Sequence, residues 1–139
     1  MADDALATAL EQEAAAFTAM QNGDPSPMIS FWADSDDITL FGAWGPIEKG
    51  HKAVTETMRW VGSRFTGADA VSTEHAVVAS SGDLAYTVGF ERSRASVLGG
   101  APRDMVIRVT HIYRRMDGDW KLVHRHADFC PPDQRKPST

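Results

Sequence analysis

The sequence is short of several things, and each shortage closes off a class of protein. Its single cysteine, Cys130, leaves no partner for an intrachain disulfide and cannot complete a thiolate metal site. Such cysteine usage suits a reducing compartment, and a cytoplasmic location is expected. Basic residues nowhere run beyond a pair such as Arg135-Lys136, and 14 basic against 19 acidic residues leave a net charge of −5. A nucleic-acid surface needs a clustered basic face, so no nucleic-acid partner is expected. The N-terminus opens on Asp3 and Asp4 and lacks the basic-then-apolar layout of a secretion signal. No apolar stretch approaches the roughly 20 residues that span a bilayer, so no membrane partner is expected either. A phosphate-cradling glycine loop, a nucleophile elbow and a dinucleotide fingerprint are all missing, and no cofactor is expected.

What remains is an ordinary globular composition. With 139 residues, 42% hydrophobic and 24% charged, the chain suits one domain around one core. That domain is expected over residues 4–130, followed by a loosely ordered polar tail over 131–139.

Periodicity predicts a helix from Asp4 to Asn22, with Leu6, Leu10, Phe17 and Met20 on one stripe and Gly23 as the stop. Ser26-Pro27 reads as an N-cap and first-turn proline of a short second helix bearing Met28, Phe31 and Trp32. A short strand follows at Ile38 to Phe41, then a loop from Gly42 to Pro46. A third helix runs from about His51 to Phe65 with Val54, Met58, Val61 and Phe65 at helical spacing.

Everything after Gly67 reads as strand: Ala70 to Ser80, Leu84 to Leu98, Arg103 to Met116 and Trp120 to Phe129. The breaks between them carry turn residues, at Ser81-Gly82-Asp83, Gly99-Gly100-Ala101-Pro102 and Asp117-Gly118. The expected fold class is α+β: three N-terminal helices packed on a meander of long antiparallel strands, a sheet that can curl around them and bury one face.

Several segments, taken in order, resemble one family. They are Asn22-Gly23-Asp24, Thr39-Leu40-Phe41-Gly42 leading through Glu48-Lys49-Gly50, Gly82-Asp83-Leu84-Ala85-Tyr86, Arg108-Val109-Thr110 and the run from Arg114 to His126 that includes Asp117-Gly118-Asp119-Trp120. The pattern resembles the SnoaL-like branch of the nuclear-transport-factor-2-like superfamily, and is similar to the association domain of calmodulin-dependent protein kinase II. It spans nearly the whole chain. The resemblance implies a cone-shaped domain that encloses a pocket for a small molecule, and a homodimer through the outer sheet face. It also implies one of two activities. One is cofactor-independent acid–base chemistry of the cyclase, isomerase or dehydratase type, and the other is a non-catalytic binding or assembly role.

Alternation along a strand assigns side chains to faces. In the third long strand Met105, Ile107, Val109, His111 and Tyr113 share one face. In the last strand Val123, Arg125, Ala127 and Phe129 oppose Trp120, Leu122, His124, His126 and Asp128. Which sets meet depends on the hairpin at Asp117-Gly118, because one residue of loop length reverses the relation. A two-residue loop joins His111 to His124 and His126. A three-residue loop joins His111 and Tyr113 to Arg125 and Ala127. The likeness to the kinase association domain favours the three-residue loop, since that family's pocket positions then fall on His111 and Ala127.

On that reading His111, Tyr113 and Arg125 are the catalytic candidates. An imidazole can act as acid or base near neutral pH, and a guanidinium can hold a developing oxyanion. Val88, Phe90 and Val109 are expected to join them inside, with Trp32, Phe41, Trp44 and Trp60 lining or closing the mouth. Trp44, in a Gly/Pro-containing loop, is the candidate lid. The bland readings are a core histidine satisfied by Tyr113 or backbone, and an arginine paired with Glu91 or Asp128.

The row His124-x-His126-x-Asp128 has same-face spacing of roughly 7 Å, which a metal could use with His111 or His75. Packing at an interface accounts for it more simply, and no metal is expected. Asp34, Asp36 and Asp37 read as a solvated loop. The resemblance also departs from its relatives at telling places. The ketosteroid-isomerase base and oxyanion tyrosine fall on Phe41 and near Ala16, and the arginines of the association-domain pocket fall on Phe90, His111 and Ala127. A more apolar or aromatic ligand than a small acid is expected.

Overall fold

Leu6, Ala9, Ala16, Phe17 and Met20 are buried along α1 (Asp4–Gln21), so this helix forms by laying one apolar stripe on the sheet. The computed structural model describes residues 4–130, and the polar tail expected over 131–139 lies outside the described residues. Gly23, at φ 92°, ends the helix in the left-handed conformation that a side chain would resist. Helix α2 (Ser26–Phe31) has Pro25 at its N-cap position, and the Asp24 Oδ1 accepts the Ser26 N–H at 3.0 Å. The expected Ser26 cap is therefore displaced, because Asp24 reaches the free backbone donor first.

Strands β1 (Thr39–Phe41) and β2 (Ile47–Lys49) form a short antiparallel pair around the Gly42–Pro46 turn, and α3 (His51–Arg64) follows. The β2 segment has no place in the sequence reading, since three residues carry too little periodicity to register. After α3 come β3 (Phe65–Ser81), β4 (Leu84–Val97), β5 (Arg103–Met116) and β6 (Asp119–Phe129). The six strands lie in the order β2-β1-β6-β5-β4-β3, antiparallel except for the parallel β1–β6 pair. The sheet curls without closing, and the α+β class stands. Its inner face meets the helices through Phe17, Phe31, Leu40, Met58, Tyr113 and Leu122.

Strand β3 begins directly at Phe65, not near Ala70. Gly67 and Ala70, at φ 146° and 52°, are irregularities within the strand, and the β3–β4 register shifts at both. Opposite another shift, between His75 and Val77, a Cβ on Gly89 would sit 1.9 Å from the Glu74 carbonyl oxygen. Two backbones touch there, and only glycine fits.

The hairpin joining β5 to β6 departs from expectation twice. Met116 pairs with Asp119, so the loop is the two-residue form, with Asp117 and Gly118 both at positive φ (53° and 84°). Alternation alone would then place His124 and His126 beside His111. Instead Ile112 pairs with His124 while Tyr113 pairs with Leu122, so Val123 is an extra residue in β6. This bulge reverses the faces a second time. His111 consequently lies opposite Arg125, and Ile112 opposite His124.

Candidate ligand cavity and its buried polar network

The inner face of β4 is polar where a core would ordinarily be apolar. Thr87, Glu91 and Ser93 are buried, while the intervening Val88 and Arg92 face out. The expected inward placement of Val88 and Phe90 is therefore corrected. Both sit on the outer face, beside a shallow hollow bordered by Arg108, Thr110 and Asp128, and Arg92 stacks on the Phe90 ring. The Ser93 hydroxyl is buried without a partner, but an apolar-in rule fails at Thr87 and Glu91 because they have partners on two other strands, Tyr113 of β5 and Arg125 of β6.

Those partners form one continuous network. The Tyr113 hydroxyl donates to Glu13 of α1 at 2.7 Å, and lies 3.1 Å from the Thr87 hydroxyl and 3.2 Å from His111 Nδ1. His111 Nδ1 is also 3.3 Å from the Glu13 carboxylate. On the other edge of the ring, Arg125 Nη1 stands 3.0 Å from Nε2. The same guanidinium makes a two-pronged pair with Glu91, both contacts at 2.8 Å. A guanidinium has no acceptor, so Nε2 accepts and the ring carries its proton on Nδ1, directed at Glu13 and Tyr113.

The electrostatics follow from burial and pairing. Burial, the largest single influence on Glu13, would raise its pKa. Attraction to His111, hydrogen bonds from His111 and Tyr113, and the Arg125 charge outweigh it and hold the carboxyl below 4.5. Burial, reinforced by the Glu13 charge, pushes the Tyr113 phenol up and keeps it protonated. Burial alone would lower Arg125, but pairing with Glu91 reverses that and raises it. With Glu13 and Glu91 ionised and Arg125 the one cation, the network carries one net negative charge while His111 is neutral.

This network ends at a cavity of about 70 Å³ between the helices and the sheet, several times what one water needs. Its wall is almost wholly apolar, with Met20, Met28, Trp32, Trp44, Ile107 and Phe129 among the lining. Arg125 is the ionisable side chain in that wall, while His111, 3% exposed, lies behind it. Pairing with Glu91 and His111 uses three of the five guanidinium N–H groups, which leaves Nε–H and one Nη2–H toward the remaining surroundings.

The structure thus brings His111, Tyr113 and Arg125 together and places Trp32 and Trp44 in the cavity wall. Trp44 sits in the β1–β2 turn, 5.1 Å from Phe65 and 6.1 Å from Trp60 between ring centres, with Arg64 stacked on both indoles. Three other expected wall residues lie elsewhere. Trp60 is exposed and backs Trp44 from outside. Phe41 is exposed on the outer face, edge-on to His124 and His126. Val109 faces inward but is packed in a satellite cluster with Ile107 and Ala127.

Glu13, Thr87 and Gln21 escaped the sequence reading, whereas Glu91 is the partner that Arg125 takes of the two offered for it. One of two glutamates on an alanine-rich helix gives no signal, although Glu13 belongs to the buried stripe of α1. On the outer face, His124 Nδ1 bonds the Thr39 hydroxyl at 2.7 Å, and Arg108 holds Asp128 through two 2.7 Å hydrogen bonds. Among the described residues no group of three or more His, Cys, Asp or Glu side chains is placed to hold a metal ion. Nor is any described helix long and apolar enough to cross a membrane.

The sequence pattern of the SnoaL-like domain matches residues 11–130. The chain belongs to the SnoaL-like domain family. Solved structures agree on the fold. This SnoaL-like chain is 21% identical to a proposed dehydratase of the NTF2-like family from Streptomyces avermitilis, covering 86% of this chain and 91% of that one at a TM-score of 0.73. It is 23% identical to a proposed calcium/calmodulin-dependent protein kinase type II association domain from Thiobacillus denitrificans, covering 88% and 93% at 0.69. An NTF2-like protein of unknown function in nutrient uptake from Rhodospirillum rubrum matches at 24% identity, 91% and 98% coverage and 0.69. No curated protein matches the SnoaL-like chain in sequence. At these identities the likeness is one of fold, and function has to be argued from the cavity.

Proposed function

We propose that this SnoaL-like protein is a cofactor-independent acid–base enzyme that takes a small, neutral, mainly apolar organic molecule into the cavity. The observation carrying this reading is the placement of Arg125, in the cavity wall and in contact with His111 Nε2. A ligand oxygen that draws the Arg125 N–H away would free the Nε2 lone pair. His111 could then take a proton from the carbon next to that ligand carbonyl, breaking C–H and forming Nε2–H. Glu13, already bonded to Nδ1, would balance the imidazolium, and Arg125 would hold the new enolate oxygen. Charge favours this order. The ligand becomes negative only as the network gives up its own net negative charge, so the total is unchanged. Cyclisation, isomerisation and dehydration can each start from such a step.

The test is hydrogen–deuterium exchange of a small cyclic ketone, cyclohexanone, in D₂O, followed by NMR. The wild type should speed exchange of the α-protons, and folded His111→Ala should not. Equal rates with the two proteins would overturn the reading.

One observation favours a second reading, a binding module without turnover: both ring nitrogens of His111 already have partners. Ketone binding with no exchange above background would support it.

A homodimer through the outer sheet face belongs to the same proposal. Tyr86, Val88 and Ile112 project from that face and are exposed, and covering them in a second copy would remove apolar surface from water. A monomer by light scattering at micromolar concentration would exclude it.

A further inference from the structure

Gln21 and Trp32 stand apart from the Arg125 network and from any partner. Gln21, the last residue of α1, is 0% exposed, and neither its amide oxygen nor its amide nitrogen has a hydrogen bond. Trp32, just after α2, is 2% exposed and its indole N–H is also unpaired. Both side chains line the cavity. A buried amide without partners is costly, and native interiors rarely leave one. Leucine or methionine would fill the same place without that cost, so the polar atoms need an occupant to justify them.

We propose that Gln21 and Trp32 form a polar subsite for a neutral ligand with a hydrogen-bond acceptor and donor side by side, as in a lactam or cyclic carboxamide. This rests on the reading of the cavity as a ligand site. The Gln21 amide offers one acceptor and two donors in a plane, and a lactam matches it with two antiparallel hydrogen bonds. The Trp32 N–H supplies a further donor for the ligand carbonyl. The rest of the nearby wall, Met20, Met28 and Leu40, suits an apolar ring. Neutrality follows from the network, where two carboxylates already face one guanidinium. An anion entering the cavity would add a second uncompensated negative charge in a low-dielectric setting.

The experiment is calorimetric or ligand-detected NMR titration of the wild type with three six-membered-ring probes: 2-piperidinone, cyclohexanone and cyclohexanecarboxylate. The lactam should bind about tenfold tighter than the ketone, the size of one net hydrogen bond, and the carboxylate should bind weakest. Gln21→Met should abolish the lactam preference while keeping ketone affinity. Trp32→Phe, which keeps a ring and removes the N–H, should weaken lactam and ketone alike, and serves if Gln21→Met does not fold. Equal wild-type affinity for lactam and ketone, as when water satisfies Gln21, overturns the subsite and leaves the cavity reading intact. A carboxylate that binds tightest overturns the charge argument and the proposal with it. Failure of all three probes to bind overturns both the subsite and the reading it rests on.

Discussion

The Tyr113 hydroxyl meets the Glu13 carboxylate at 2.7 Å although the two residues lie 100 positions apart. This contact ties the first helix to the fifth strand, and the same hydroxyl also contacts Thr87 and His111. Tyr113→Phe keeps the ring packed on Phe31 and removes only the hydroxyl. It should cost about 1–3 kcal/mol, because Glu13 is left buried with one donor fewer. Urea denaturation checks this, and a loss within error of zero would mean that the network is not under tension from burial.

Glu13 also sets a pH dependence. Its folded pKa lies below the ordinary 4.5 despite burial, so unfolding raises it and the unfolded chain binds the proton more readily. The stabilisation is therefore complete above about pH 4.5 and declines as pH falls through the lower folded value. Glu13→Gln should be less stable than wild type at pH 7, and the gap should narrow on acidification. Thermal melts between pH 7 and pH 3 measure it, and parallel curves would contradict the assignment.

Gly89→Ala should damage the sheet severely, by more than about 2 kcal/mol, because its Cβ would lie 1.9 Å from the Glu74 carbonyl oxygen. Backbone cannot yield as a flexible side chain does. A melting temperature within a degree or two of wild type would show that β3 can lift away from β4 at little cost.

Trp44→Ala should act on kinetics more than on folding. The indole covers the cavity from the β1–β2 turn and is held by Phe65, Trp60 and Arg64. Its loss should speed dissociation of a bound cyclohexanone several-fold with a smaller effect on association. NMR line-shape analysis would report it, and an unchanged off-rate would remove Trp44 as the gate.

The helices and long strands were readable because their periods are strong and their stops are glycine, asparagine and aspartate. The interior of β4 was not, since Thr87, Glu91 and Ser93 occupy positions that ordinarily hold apolar residues. Nothing local marks them: Thr87 and Glu91 are justified by Glu13, Tyr113 and Arg125 on distant elements, and the Ser93 hydroxyl has no partner. The union of His111 with Arg125 was anticipated, but from a three-residue turn that does not form. A two-residue turn and a bulge at Val123 reach the same faces by another route, because two reversals of register restore the original sense. Trp60 and Phe41 illustrate the weakness of aromatic content as a guide, since both lie outside the cavity.

The Val123 bulge has a consequence for how such a pocket could change over generations. Between the turn and the catalytic candidates, whether Val123 is bulged out or paired decides whether a guanidinium or a pair of imidazoles faces the ligand. Loss of Val123 would only smooth the ladder, since Tyr113 already pairs with Leu122 and Ile112 with His124, and Arg125 would stay opposite His111. Insertion of one further, paired residue before His124 would instead bring His124 opposite His111 and turn His124 and His126 inward in place of Arg125 and Ala127, a new chemistry reached in a single in-frame step without any substitution.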